Sequence, residues 1–172
     1  MALRWMWLTG LGLGALILSA VPAVASDVSS ASCPGPKAIA NSPGAPAGSV
    51  TVAGYLPVKD GTCLRYTLLL PSVKGRFPTV LVYDTYSAGS GPLPGSPMIG
   101  SHPDAFLAAG YAVLGVNVRG TGCSQGTWDP FATEGRDGRD VVEWIAHQPW
   151  SDGRVGEIGV SDSSINALLV AE

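Results

Sequence analysis

The sequence predicts an α/β protein: an antiparallel hairpin opens the domain, and parallel strands with crossover helices follow. Three observations carry that expectation. Continuous apolar runs recur, the pattern of strands covered on both faces. Segments with apolar residues at three- and four-residue spacing lie between them, as in helices that pack on a sheet. The two kinds alternate, and strand–helix–strand order implies right-handed crossovers and parallel pairing.

The chain has 172 residues, 46% apolar and 13% charged, with a net charge of -3. That composition suits a globular chain and is too short for a complete large α/β enzyme. There is no basic stripe and no aromatic–basic interleaving, so nucleic acid is not an expected partner. Residues 1–25 read as a signal peptide: Arg4, an apolar run from Trp5 to Val21, then Ala23-Val24-Ala25 as the small-x-small cleavage pattern. The alternative is an uncleaved anchor, but Gly10, Gly12, Gly14, Ser19 and Pro22 weaken a spanning helix. After cleavage no membrane partner is expected, and the product is secreted or held in the cell envelope. Residues 26–48, rich in Ser, Ala, Pro and Gly, read as a flexible linker, and 49–172 as the domain.

Val50, Val52, Tyr55 and Leu56 suggest the first strand, and Asp60-Gly61 a turn. Cys63 to Leu70 forms the second strand, ended by Pro71. Phe77 to Tyr83 is the first doubly buried strand. Residues 84–100 form a loop longer than most connections, which suggests function. Pro103 opens a short helix over residues 104–109, with Gly110 as its stop. Tyr111 to Val118 is the next buried strand, and residues 119–128 form a tight glycine-rich loop without either phosphate-binding glycine motif. A helix around Asp137 to Gln148 presents Val141, Trp144, Ile145 and Gln148 on one side. Asp152-Gly153 then turns the chain into the last strand. The final helix carries Ile165, Leu168 and Leu169 as the expected face toward the sheet. Of three cysteines in an exported chain, Cys33 and Cys63 are the expected pair, and Cys123 a small buried residue.

Val155 to Ser164 reads as strand, tight turn and helix start, with Ser161 at the tip. A hydroxyl on such a turn stands clear of its own backbone, open to a base on one side and a carbonyl on the other. The competing reading of Ser161 is a helix N-cap, which Ser-Asp-Ser-Ser also suits.

From about Asp60 onward the chain resembles the N-terminal half of the X-Pro dipeptidyl-peptidase and cocaine-esterase-like serine hydrolases. The segments that carry the resemblance are, in order, Asp60-Gly61-Thr62-Cys63-Leu64, Thr85-Tyr86, Ala109-Gly110-Tyr111-Ala112-Val113, Arg119-Gly120-Thr121-Gly122, Trp144-Ile145, Trp150-Ser151-Asp152-Gly153 and Gly159-Val160-Ser161. The resemblance implies a partial α/β-hydrolase sheet, truncated after the nucleophile turn. It also implies Ser161 as the acylated nucleophile, and Tyr86 and the backbone N–H of Asp162 as the oxyanion hole. Two departures stand out. Asp162 replaces the aromatic residue that follows the nucleophile, and Ser163 and Ser164 stand where the family places a glycine.

In this fold the acid and then the histidine follow the serine in chain order, and the chain stops eleven residues past Ser161. His102 and His147 read as structural, as do Asp137 and Asp140 in the first turn of their helix. Arg119 reads as a structural donor to backbone carbonyls of its loop. The expected function is an exported serine hydrolase acting on a small ester or peptide substrate, seen as an incomplete chain. The alternative is a non-catalytic remnant or interaction module that keeps half the fold. No cofactor and no metal site are expected, because neither histidine has ligand-like spacing with the cysteines.

Overall fold

The computed structural model describes residues 33–41, 44–90 and 103–172. The signal-peptide reading of 1–25, residues 91–100 of the long loop and His102 lie outside the described residues. The strands are β1 (Lys37–Ile39), β2 (Val50–Pro57), β3 (Cys63–Leu70), β4 (Phe77–Asp84), β5 (Ala112–Asn117) and β6 (Ser151–Glu157). The helices are α1 (Pro103–Ala108), α2 (Glu134–Ala146) and α3 (Asp162–Ala171).

The sheet order is β1-β2-β3-β5-β4-β6. β2 and β3 pair antiparallel from Val50 against Leu70 to Pro57 against Cys63, which is the expected hairpin. β3 runs antiparallel to β5, while β4 lies parallel to both β5 and β6. Every residue of β5 is buried, as are the last six of β4. That explains their unbroken apolar runs: a central strand with cover on both faces has no solvent side to mark. One face packs Leu56, Leu64, Leu68, Leu81, Leu114 and Val116 against Val141 and Ile145 of α2. The other packs Leu69, Val82 and Val113 against Leu107 of α1. Each such side chain, fully buried, contributes roughly 1.5–3 kcal/mol.

Four expectations need correction. The stretch 26–48 is not a linker throughout: Lys37–Ile39 adds an edge strand to β2, and Asn41 bonds the carbonyl of Ser49 and the hydroxyl of Thr51. A disulfide between Cys33 and Cys63, the expected pair, tethers this stretch to the start of β3. The second correction concerns α3. It packs on α2 and β4, burying Ser163 and Asn166, while Ile165 and Leu168 are 45% and 69% exposed. The cause is close helix approach: a Cβ at Gly138 of α2 would collide with Val170. Third, Cys123 is exposed, because its loop runs over the surface. Fourth, Arg119 serves carboxylates rather than carbonyls. Its Nε and Nη2 hold Asp137 at 2.7 and 2.9 Å, and Nη2 reaches Asp60 at 2.8 Å. The glycines at 120, 122 and 126 of the same loop do take positive φ, as the sequence suggests.

Candidate active site

β6 delivers the chain to a turn at the carboxyl end of the parallel strands, where sites form in open α/β sheets. The amide of Ile158 still donates to Leu81 of β4, at 3.0 Å. Gly159 then passes so close to α3 that any Cβ would fall on the carbonyl group of Ser163. At the tip, Ser161 has φ 60° and ψ -122°, one of two non-glycine residues with positive φ among those described. Such a backbone costs of order 1–3 kcal/mol and persists only where the surroundings over-determine it.

The surroundings are visible. The Ser161 carbonyl accepts the amides of Ser164 and Ile165 at 3.0 and 3.3 Å, and the Ser164 hydroxyl at 2.6 Å. Ser163, fully buried, accepts the amide of Val160 at 2.7 Å and donates back to the Val160 carbonyl at 2.9 Å. Ser163, at the family's glycine position, thus bonds the turn, and Gly159 supplies the close approach. Ser161 itself makes no side-chain capping bond and is exposed. Ser161 thus holds the N-cap position of α3 without spending its hydroxyl on the helix.

Two further residues were expected here. The Asp162 carboxylate turns sideways: Oδ2 accepts the Thr85 hydroxyl at 2.8 Å and the Asn166 amide at 3.3 Å. Its N–H is the first amide of α3, in the turn whose amides have no intrahelical partner and where the helix dipole favours negative charge. Tyr86, 44% exposed, sits two residues past the end of β4, beside β6 in the sheet. The Thr85–Asp162 bond joins its turn to the serine turn.

Three contributors escaped the sequence reading. Asp84 ends β4 with no exposure, and its Oδ1 accepts the amides of Tyr86 and Ala88 at 3.1 and 3.0 Å. Burial pushes its carboxyl above the usual range, with the nearby Asp162 charge adding to the shift. An acid directly after a doubly buried run was the available signal. Asn166 links α3 to β4 through the Tyr83 carbonyl at 3.3 Å. Glu157, the last residue of β6, has a buried Oε1 without a partner among the described residues, and burial raises its pKa to about 7. A carboxylate between Val155-Gly156 and Ile158-Gly159 was its signal.

His147 closes α2, exposed, with Nδ1 2.8 Å from the Glu143 carbonyl. That places it near the start of β6, at the opposite end of the sheet from Ser161. Asp137 is the buried partner of Arg119, and Asp140 accepts the Lys59 amide at 2.9 Å. Among the described residues no cluster of three or more His, Cys, Asp or Glu could hold a metal ion.

Comparison with known proteins places the fold in a family. The chain is 32% identical over 119 residues to the cocaine esterase of a Rhodococcus species, covering 66% of this chain and 20% of that protein. A solved CocE/NonD family hydrolase from Staphylococcus aureus superposes with a TM-score of 0.61 at 29% identity, over 71% of this chain and 25% of that one. A solved α-amino acid ester hydrolase shares the fold, with a TM-score of 0.62 at 21% identity, over 86% of this chain and 26% of that one. The chain therefore spans a fifth to a quarter of the length of these relatives. Residues 60–172 match the family model of the X-Pro dipeptidyl-peptidases, S15, and with the strand–serine–helix turn at their end they make this chain a member of that family.

Proposed function

We propose that this chain carries the nucleophile and oxyanion hole of an exported serine hydrolase that acts on ester or peptide acyl bonds. The observation that carries the reading is Ser161: a strained, exposed serine whose hydroxyl does not cap the helix behind it. Family membership supports the reaction class, and the Cys33–Cys63 disulfide supports an oxidising destination. In the reaction, Ser161 Oγ attacks the substrate carbonyl carbon while a histidine takes its proton. The Asp162 N–H and the Tyr86 phenol hold the oxyanion. The intermediate collapses as the histidine returns the proton to the departing alcohol or amine, and water then hydrolyses the acyl-enzyme to a free acid and Ser161. One such donor is worth roughly 2.7–4 kcal/mol in the transition state. The histidine and its acid come from polypeptide outside the described residues, because His147 faces the wrong end of the sheet.

The test is a fluorophosphonate probe applied to the protein as its producing cell makes it. The expected result is a single adduct mapped to Ser161 and absent from Ser161→Ala. A folded protein that takes up no probe would sink the hydrolase reading in favour of a non-catalytic interaction module.

A further inference from the structure

We propose that Asp84, Thr85 and Asp162 form a clamp that sets the Tyr86 turn against the Ser161 turn, with Thr85 and Asp162 as positioning residues. The inference rests on Ser161 as nucleophile and assigns a task to the side chain that follows it. In sequence terms Asp162 looks adverse, a negative charge beside a developing oxyanion. The geometry gives that charge other work. Its Oδ2 is engaged by the Thr85 hydroxyl at 2.8 Å and by Asn166 at 3.3 Å, which directs it along the sheet edge toward β4.

The other end of the clamp is equally fixed. Asp84 is wholly buried and stands opposite Asn117 of β5, so strand pairing sets its position. Its Oδ1 gathers the amides of Tyr86 and Ala88 and so bends residues 85–88 into one turn. Thr85 touches both halves. Its backbone belongs to the Asp84 turn, and its hydroxyl belongs to Asp162. Two acids near enough to repel are thereby joined through one hydroxyl and the first turn of a helix, whose dipole favours negative charge. The two oxyanion donors are consequently not independent. Tyr86 rides on the Asp84 turn, the Asp162 amide rides on α3, and the Thr85–Asp162 bond holds the spacing between them.

The experiment reads the rate of fluorophosphonate labelling in Thr85→Val, Asp162→Ala, the double variant and Thr85→Ser. Each of the first two slows labelling about tenfold, because small displacements of positioned groups cost that order in rate. The double variant slows it by about the same tenfold rather than about a hundredfold, since both changes break one bond. Thr85→Ser, which keeps the hydroxyl, recovers most of the rate. Thr85→Val at the wild-type rate, or effects that multiply in the double variant, would overturn the clamp. Should the wild type itself take no label, the Ser161 reading fails, and amide hydrogen exchange over residues 85–88 decides the clamp. Loss of protection in Thr85→Val but not in Thr85→Ser upholds it, and unchanged protection in both overturns it.

Discussion

Single residues decide how this site behaves, and Glu157 is one that the sequence did not single out. It ends the strand that carries the nucleophile turn, and burial raises its carboxyl from 4.5 to about 7. The fold therefore prefers the protonated form, while the unfolded chain releases its proton near 4.5. Between those values the folded state binds more protons, so stability is full at the acidic end and falls as pH rises through 7. The shift bounds the loss at about 3 kcal/mol. Glu157→Gln removes the titration, and its urea stability should be flatter from pH 5 to pH 8 than that of the parent chain. Parallel profiles in the two proteins would show that the carboxyl finds a partner or water that relieves it. Ser161 makes a contrasting case, for its place at the tip of a strand–turn–helix was legible from the motifs around it. What the motifs could not convey was the backbone strain and the unspent hydroxyl, both of which depend on how α3 docks.

Between elements, the charged contacts differ in value by their burial. Arg119 has 11% and Asp137 1% of the side chain exposed, and their two-pronged pairing ties the loop after β5 to the first turn of α2. The same guanidinium reaches Asp60 and the Thr62 hydroxyl in the β2–β3 turn. Removing the arginine leaves the buried Asp137 only the longer contact to Arg136 Nε at 3.3 Å, and Arg119→Met should cost about 3 kcal/mol of unfolding free energy. Lys59 also bridges two acids, Asp140 and Glu143, but its side chain is 74% exposed. Lys59→Met should cost clearly less than Arg119→Met, because solvent screens a lysine that is mostly exposed. Equal losses from the two variants in urea titrations would refute this ranking. The strands were legible at this scale because a doubly buried strand writes itself as an apolar run. The face of α3 was not. Which side of a short apolar helix is buried depends on its neighbour, and here the small Gly138 admits Val170 and leaves Leu168 outside. β1 was hidden for a different reason: three residues in a Pro- and Ser-rich stretch carry no period, and a disulfide and one strand pairing hold them in place.

At the scale of the whole chain, the described surface is uneven in a way that bears on handling the protein. β6 pairs with β4 on one side and has no described neighbour on the other, so a row of backbone donors and acceptors faces outward. Beside it lies an open groove of about 540 Å³ lined by residues that include Pro78, Tyr111, Val155 and Ile158. Val160, Ile165 and Leu168 continue the apolar surface at 51%, 45% and 69% exposure. An unprotected edge strand next to exposed apolar side chains is a template for pairing with another chain. Expressed as residues 26–172, the protein should self-associate, with an apparent mass in light scattering that rises with concentration. Ile165→Gln combined with Leu168→Lys should shift it toward monomer. Neither side chain is buried and lysine suits the last turn of a helix, so Tm should stay within about 4 °C of the parent. A parent chain that runs as a monodisperse monomer across the concentration range would show that this edge is already protected.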